Sequence, residues 1–231
     1  MIQTPSLHDA ETRGIVVRFA GFYDLMVGVL TLGRQGTFRS QTLDCAALVP
    51  GERVLDVGTG TGTLAIAATT RVPNLAISGV DPSANMVQKA REKAAKANAN
   101  VSFDVGVIEA IDLPNDSVDV VLSSLMLHHL PPDVKTKGLS EVRRVLRTGG
   151  RFVVADFVGR APLFHRLLSK LHPGRSNDHH HPHGHDHHHD HGHPDAAGAE
   201  LVSVLAKSGF SDVRFVRLTP SYLGCAVGWK S

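Results

Sequence analysis

Short apolar runs alternate with helical stretches through the middle of this chain. The apolar runs have the length of strands buried within a parallel sheet, and they lie at 54–57, 75–80, 101–105, 118–122 and 151–156. The helical stretches between them lie at 64–70, 83–97 and 133–146. Because strands that alternate with helices build parallel sheets covered on both faces, the pattern predicts an α/β domain with a doubly wound, mostly parallel sheet.

The two ends of the chain extend this core. Apolar positions with helical spacing cluster at 19–30, and a second helix is predicted at 37–48. A later helix at 199–207 precedes two strands that we expect to form an antiparallel hairpin and to complete a seven-stranded sheet. The predicted organisation is an N-terminal helical lid (1–50), a ligand-binding core (51–157), a lid helix with a flexible loop (158–198), and a C-terminal helix and hairpin (199–231).

Composition narrows the class of partner. The 24 basic and 22 acidic residues nearly cancel, and only 5% of residues are aromatic, so a nucleic-acid surface is not predicted. The two cysteines form no disulfide framework. The polar N-terminus lacks a signal-peptide core, and no apolar run of about 18 residues exists. We expect a cytoplasmic monomer or homodimer that acts on a small molecule, with no nucleic-acid partner and no membrane insertion.

A glycine-rich loop follows the first predicted strand. Glycines at 58, 60 and 62 precede the next helix, whose N-terminal amides suit the polar groups of a ligand. The spacing is GxGxG and not the dinucleotide fingerprint GxGxxG, because Thr63 occupies the place of the third glycine. This disfavours a nicotinamide-dependent oxidoreductase, and the missing GK[ST] excludes a P-loop. The loop indicates a nucleotide-like ligand; a plain tight turn is the alternative.

An acidic residue ends the second predicted strand. Asp81 lies just before Pro82, where a carboxylate can accept hydrogen bonds from the hydroxyls of a ribose. The alternative is an acid that stabilises the N-terminus of the helix capped by Ser83. Both roles suit the position.

These segments together resemble the class I S-adenosylmethionine-dependent methyltransferases. The resemblance is carried by VLDVGTGTGTLAIAA and GVDPSANMVQKAREKA, and it continues in order through 109–114, 117–121, 124–130 and 141–146. Within that superfamily the chain is most similar to the ubiquinone/menaquinone-biosynthesis type (methyltransferase type 11). The resemblance implies a Rossmann-like methyltransferase fold with S-adenosyl-L-methionine as cofactor. It also implies methyl transfer to an oxygen, carbon or nitrogen atom of a small-molecule acceptor.

The resemblance further implies which residues bind the cofactor. Asp81 would hold the ribose, Met86 would pack near the adenine, and the glycine loop would pass beside the methionine part. Glu109 departs from the family, which usually has an aspartate there that reaches the adenine amino group. The full implied set is Tyr23, Asp56, Gly58, Thr59, Gly60, Gly62, Asp81, Pro82, Met86, Ile108, Glu109, Ala110, Ser123 and Ser124.

Three histidines are candidates for contact with the acceptor. His128 and His129 follow the fourth predicted strand, at the edge where doubly wound sheets bind ligands. His128 is the candidate general base, because a hydroxyl or carbon acceptor has a proton to lose. His165 lies in the predicted lid helix and is a further candidate substrate contact. The alternatives are that the pair packs at the start of a helix and that His165 lies on the surface.

Ten histidines stand in one polar stretch, DHHHPHGHDHHHDHGHPD, which has no apolar residue to bury. Neutral imidazoles bind Zn, Ni, Cu or Co, but the spacing is not that of a fixed zinc site. A metal-responsive lid, a metal buffer and a solvated linker remain as alternatives, and a metal-buffering protein on a methyltransferase scaffold is the competing function. The candidate ligands are His179, His180, His181, His183, His185, His187, His188, His189, His191 and His193.

Overall fold

A seven-stranded sheet forms the centre of the protein. The computed structural model describes residues 10, 12, 31, 33–158 and 195–231. Its strands are β1 (Arg53–Val57), β2 (Ala76–Asp81), β3 (Val101–Val105), β4 (Val118–Ser124), β5 (Leu146–Phe157), β6 (Ser211–Arg217) and β7 (Leu223–Trp229). Its α-helices are α1 (Gln35–Ala46), α2 (Thr63–Arg71), α3 (Ala84–Ala97), α4 (Pro132–Val145) and α5 (Asp195–Lys207), and a 3₁₀ turn spans Leu127–His129.

The strand order is β3-β2-β1-β4-β5-β7-β6, with β1 to β5 parallel and β7 antiparallel to both of its neighbours. This confirms the predicted doubly wound sheet and the C-terminal hairpin. The chain order reverses between β1 and β4, where open α/β sheets bind ligands beyond the carboxyl ends of their strands.

Two apolar layers cover the sheet, one on each face. On one face α1, α2 and α3 contribute Phe38, Leu64 and Val87, all at most 3% exposed. On the other face α4 and α5 contribute Leu139 and Leu205, at most 2% exposed. Because successive residues of a strand point to opposite faces, the central strand β4 supplies both layers: Val120 and Leu122 pack on one face, and Val118 and Val121 on the other.

The local sequence explains most of the element boundaries. Ser83 caps α3 by accepting the backbone N–H of Met86 through its side chain, as its position before an amphipathic stretch predicts. The helix predicted at 37–48 is α1, which starts and ends two residues earlier. The predicted N-terminal helix at 19–30, the lid helix and the histidine-rich stretch lie outside the described residues.

One predicted boundary is wrong. The sequence predicts that the strand after α4 starts at Arg151, beyond Gly149–Gly150, but β5 already begins at Leu146, directly after α4 ends at Val145. The pairing of β4 with β5 shifts register here, since Val118 faces Leu146 while Val120 faces Arg151. The glycines fit this irregularity, because a Cβ on Gly150 would lie 2.8 Å from the carbonyl oxygen of Arg147.

Candidate functional site

A cleft opens where the parallel strands end. Counted out to its mouth, with the open space there included, it encloses about 680 Å³. Loops that leave β1, β2, β3 and β4 each contribute to it. The lining residues are Thr12, Gly58, Gly60, Asp81, Pro82, Met86, Gly106, Val107, Ile108, Glu109, Leu125, Met126, His129 and Leu130.

The glycine loop lies along one wall of the cleft. Gly58, Gly60 and Gly62 have φ angles of 67°, 55° and 74°, in the left-handed region that glycine adopts without strain. The backbone N–H groups of Gly58 and Thr59 both donate to the carbonyl of Val80, at 2.9 and 3.0 Å. The loop that follows β1 is therefore fastened to the end of β2.

Asp81 makes a second link between the same two segments. Its Oδ2 accepts the backbone N–H of Gly60 at 2.9 Å, and its Oδ1 accepts that of Ser83 at 2.9 Å. The carboxylate lines the cleft although its residue is only 9% exposed. A buried anion held by backbone amides at the wall of a cleft suits the hydroxyl or cationic groups of a ligand.

Asp56 lies beneath the loop and is 1% exposed. Burial raises the pKa of Asp56 to about 7; a 2.7 Å hydrogen bond from the Thr59 hydroxyl opposes this rise, and the negative charge of Asp81 adds to it. Within the described part of the chain, Oδ1 of Asp56 and Oγ of Ser123 are buried and have no hydrogen-bond partner. Buried polar atoms are rarely left unpaired, so these two mark places where a ligand can complete the site.

The far wall of the cleft is formed by the start of α3 and by the segment that follows β3. Met86 is 1% exposed and Ile108 is 6% exposed, and both line the cleft. The hydroxyl of Thr12 donates to a carboxylate oxygen of Glu109, and the backbone N–H of Ala10 donates to the carbonyl of Pro82 at 2.9 Å. Ala10 and Thr12 therefore lie against this side of the cleft.

The two adjacent histidines differ in their surroundings. His129 lines the cleft, whereas Nδ1 of His128 lies 2.6 Å from Oδ1 of the buried Asp156. Their ring centroids are 3.8 Å apart. The preceding Leu125 has a φ of 52°, a strained conformation for a residue with a branched side chain. This bend directs the chain from β4 across the floor of the cleft.

Half of the implied cofactor set lines the cleft directly: Gly58, Gly60, Asp81, Pro82, Met86, Ile108 and Glu109. Six others do not line it: Asp56, Thr59, Gly62, Ala110, Ser123 and Ser124. Some of these shape the wall from behind. For example, a Cβ on Gly62 would lie 2.6 Å from the ring of Phe103. The remaining candidate Tyr23, together with His165 and the ten histidines from His179 to His193, lies outside the described residues.

Several residues of the site are absent from the sequence-based candidates. Gly106 and Val107 follow β3, and Asp156 lies near the end of β5. The rule that ligands bind beyond the carboxyl ends of parallel strands indicates these positions as well as those after β1, β2 and β4. Nothing local in the sequence indicates Thr12. Among the described residues no group of three or more His, Cys, Asp or Glu side chains is arranged to hold a metal ion.

The residues present fit S-adenosylmethionine. At the glycines with positive φ the ligand can contact the backbone directly. A Cβ on Gly58 would lie 2.5 Å from Met126 and would fill the space between the loop and that side chain. It also offers the Asp81 carboxylate, while Asp56 beneath the loop adds a second carboxyl group. The cofactor carries an ammonium group, a sulfonium and ribose hydroxyls, all of which suit carboxylate oxygens.

Part of the chain is similar in sequence to known proteins. Residues 54–150 match the family described as "Methyltransferase domain". The ubiquinone/menaquinone biosynthesis C-methyltransferase UbiE of Geobacter sulfurreducens is 35% identical over 151 residues, which cover 64% of this chain and 58% of that protein. An arsenite methyltransferase of Halobacterium salinarum is 40% identical over 119 residues, which cover 51% of this chain and 30% of that protein. The chain thus spans less than two thirds of the length of these relatives.

Solved structures show the same fold. A SAM-dependent methyltransferase from Aquifex aeolicus superposes with a TM-score of 0.62 at 22% identity, and the match covers 84% of this chain and 89% of that one. At this identity the likeness speaks for the fold alone. It confirms the predicted Rossmann-like methyltransferase architecture.

Proposed function

We propose that this chain transfers the methyl group of S-adenosylmethionine to a small-molecule acceptor, because residues 54–150 match the family described as "Methyltransferase domain". One observation carries the proposal. The glycine loop and Asp81 are joined by a hydrogen bond at the wall of a cleft, at the carboxyl edge of the sheet. When bound, the cofactor supplies a methyl group that its sulfonium already activates, so the protein's main task is to align the acceptor and exclude water.

Each wall of the cleft has a role in this proposal. Asp81 would hold the ribose, Met86 and Ile108 would pack against the adenine, and the backbone at Gly58 and Gly60 would lie beside the methionine part. Asp56 and Ser123, with their buried unpaired oxygens, would complete the binding of the methionine end from beneath. His129, on the lining between Met126 and Leu130, would face the acceptor.

Calorimetric titration tests cofactor binding directly. We expect S-adenosylmethionine and S-adenosylhomocysteine to bind with dissociation constants on the order of 1–100 μM, while NAD shows no heat of binding. Binding of NAD in place of both would contradict the proposal and support an oxidoreductase. If neither NAD nor the two adenosyl ligands give a heat of binding, the competing function, a metal-buffering protein on this scaffold, is supported instead.

For the acceptor we propose a hydroquinone that is methylated on carbon. The relative from Geobacter sulfurreducens is named for this reaction class, and the lining residues Leu125, Met126 and Leu130 offer apolar contacts to a quinol ring. Transfer of label from methyl-labelled cofactor to a prenylated 1,4-dihydroxynaphthalene tests this. The named activity of the second relative makes arsenite, supplied with a thiol, the comparison substrate. Label in the arsenite product alone would refute the hydroquinone.

For the histidine-rich stretch we propose binding of transition metals that modulates activity. The stretch offers ten imidazoles interleaved with Asp178, Asp186 and Asp190. A variant in which the stretch is replaced by a Gly/Ser segment of equal length is the control. We expect zinc or nickel to change the methylation rate and the protease sensitivity of the unaltered protein only. Equal responses of the two proteins would contradict this role.

A further inference from the structure

Asp156 contacts both the imidazole ring and the backbone N–H of His128. Nδ1 of the imidazole lies 2.6 Å from Oδ1, and the backbone N–H of His128 donates to Oδ2 at 3.1 Å. Oδ1 also accepts the backbone N–H of Phe157 at 2.7 Å. The carboxylate is 4% exposed, so it is held by protein contacts and not by bulk water.

This contact fixes the tautomer of the ring. An ionised carboxylate only accepts hydrogen bonds, so the atom that faces it at 2.6 Å must carry a hydrogen. In neutral His128 that hydrogen is on Nδ1, and the lone pair is on Nε2. The opposite tautomer would place a nitrogen lone pair against a carboxylate oxygen.

The ring also lies next to the cleft. Its centroid is 3.8 Å from that of His129, which lines the cleft, and 4.9 Å from that of Phe157, whose ring is nearly perpendicular to it. The side chain is 20% exposed, in contrast to the buried carboxylate behind it. A partly exposed imidazole with a fixed tautomer, next to a residue that lines a ligand cleft, is the arrangement of a general base with a positioning carboxylate.

We propose that Asp156 is a positioning residue that holds His128 as the proton acceptor for a methyl acceptor with an ionisable O–H group, of the phenol or hydroquinone class. The hydroxyl proton moves to Nε2 of His128, and the electron pair left on the acceptor forms the new bond to the methyl carbon. The methyl–sulfur bond breaks, and its electron pair stays on sulfur. If a ring carbon is methylated, the ring proton then returns to the oxygen as the aromatic ring re-forms. This deepens the proposed function and rests on it.

Nitrogen-15 NMR of the histidine side chains tests the positioning without any acceptor. His128→Gln identifies the signals of His128 by their loss, and His129→Gln, which should retain them, is the matched control. We expect neutral His128 of the unaltered protein to be in the Nδ1–H form, and Asp156→Asn to shift it toward Nε2–H. An Nε2–H ring in the unaltered protein would overturn the proposal, whether or not the variant folds.

Kinetics with the prenylated dihydroxynaphthalene give the second readout. For Asp156→Asn we expect kcat to fall about 100-fold, with the dissociation constant for S-adenosylmethionine changed less than about threefold. Asp156→Glu should recover about tenfold of that loss, because it restores a carboxylate acceptor for Nδ1–H. An unchanged kcat in the folded Asp156→Asn protein would refute the role. If the unaltered protein does not bind S-adenosylmethionine, the proposed function is refuted instead. If the dihydroxynaphthalene is not methylated, the NMR measurement of the His128 tautomer decides whether Asp156 positions the ring.

Discussion

The backbone N–H of Gly60 donates a 2.9 Å hydrogen bond to Oδ2 of Asp81. The glycine loop after β1 and the acid at the end of β2 are therefore one unit, although 21 residues separate them. A ligand that contacts this carboxylate also contacts a loop whose position the carboxylate sets. Substitution of Asp81 should thus affect the site twice, through the lost charge and through the loop.

Asp81→Asn should weaken the binding of S-adenosylmethionine by about 10- to 100-fold. The substitution removes a charged acceptor from ligand hydroxyls, and hydrogen bonds to charged groups contribute about 1.5–3 kcal/mol each. Calorimetric titration measures the effect. Asp104→Asn is the matched control, because Asp104 is 69% exposed, pairs with Arg91 and lies outside the cleft lining. Equal losses in the two variants would contradict the role of Asp81.

The core of the fold is predictable from sequence because its signals are local. The predicted bounds of strand β3 are the observed ones, since the alternation of apolar Val101, Phe103 and Val105 with polar residues suffices to identify it. The glycine loop and Asp81 are found in the same way, because each lies at a strand end that the periodicity marks. These parts of the site need no knowledge of which strands are neighbours.

The features that the sequence does not predict depend on contacts between distant parts of the chain. The bond between His128 and Asp156 joins residues 28 apart and exists because β4 and β5 are adjacent in register. The left-handed backbone conformation of Leu125 is held by its N–H, which donates to the carbonyl of Ala155 on β5 at 2.9 Å. No local pattern encodes either feature. The sheet order supplies them, and it follows only from the complete fold.

Gly58→Ala should reduce both stability and cofactor binding. The left-handed backbone conformation of this residue costs about 1–2 kcal/mol of stability once a Cβ is present. The added carbon would also lie 2.5 Å from Cγ of Met126, which lines the cleft. Displacement of Met126 should raise the dissociation constant for S-adenosylmethionine about tenfold, for a loss of about 1.4 kcal/mol.

Gly51→Ala is the control that separates the backbone strain of a positive φ from the steric contact with Met126. Gly51 also has a positive φ, of 88°, but a Cβ added there would have no neighbour within 4 Å, and the residue lies outside the cleft lining. Urea unfolding should show a loss of about 1–2 kcal/mol for this variant too, while its affinity for the cofactor stays unchanged. If Gly58→Ala bound the cofactor as well as Gly51→Ala does, the contact with Met126 would be irrelevant to the site.

Asp56→Asn should change how stability depends on pH. Burial raises the pKa of Asp56 to about 7 in the folded protein from an ordinary value of 3.8. Between these two values the folded protein retains a proton that the unfolded chain has released, so this carboxyl's contribution to stability falls as the pH rises. The advantage of the unaltered protein over the variant should shrink by on the order of 4 kcal/mol at most between about pH 4 and pH 7.

Asp119→Asn is the control, because the pKa of Asp119 is shifted in the opposite direction to that of Asp56. Burial favours a higher pKa at Asp119, but hydrogen bonds from Arg53 and Arg147 outweigh it and lower that pKa to about 2. Its contribution to stability is therefore complete above about pH 4 and is lost only as the pH falls toward 2. Urea unfolding at several pH values should give a constant difference for Asp119→Asn from pH 4 to 7. A constant difference for Asp56→Asn as well would show that Asp56 titrates normally.

Arg151→Met should destabilise the contact of α1 with the sheet. The guanidinium donates to the carbonyls of Ala46 and Ala47 at the end of α1, at 2.7 and 3.0 Å, and to both carboxylate oxygens of Glu52 at 2.8 and 3.0 Å. The Arg151 and Glu52 side chains are only 13% and 10% exposed, so the substitution leaves a buried carboxylate without its partner. We expect a loss of about 3 kcal/mol in the free energy of unfolding by urea. Arg91→Met, which removes a 42% exposed guanidinium from Asp104, should cost about 1 kcal/mol or less, and equal losses would mean that burial does not set the strength of the Arg151 contacts.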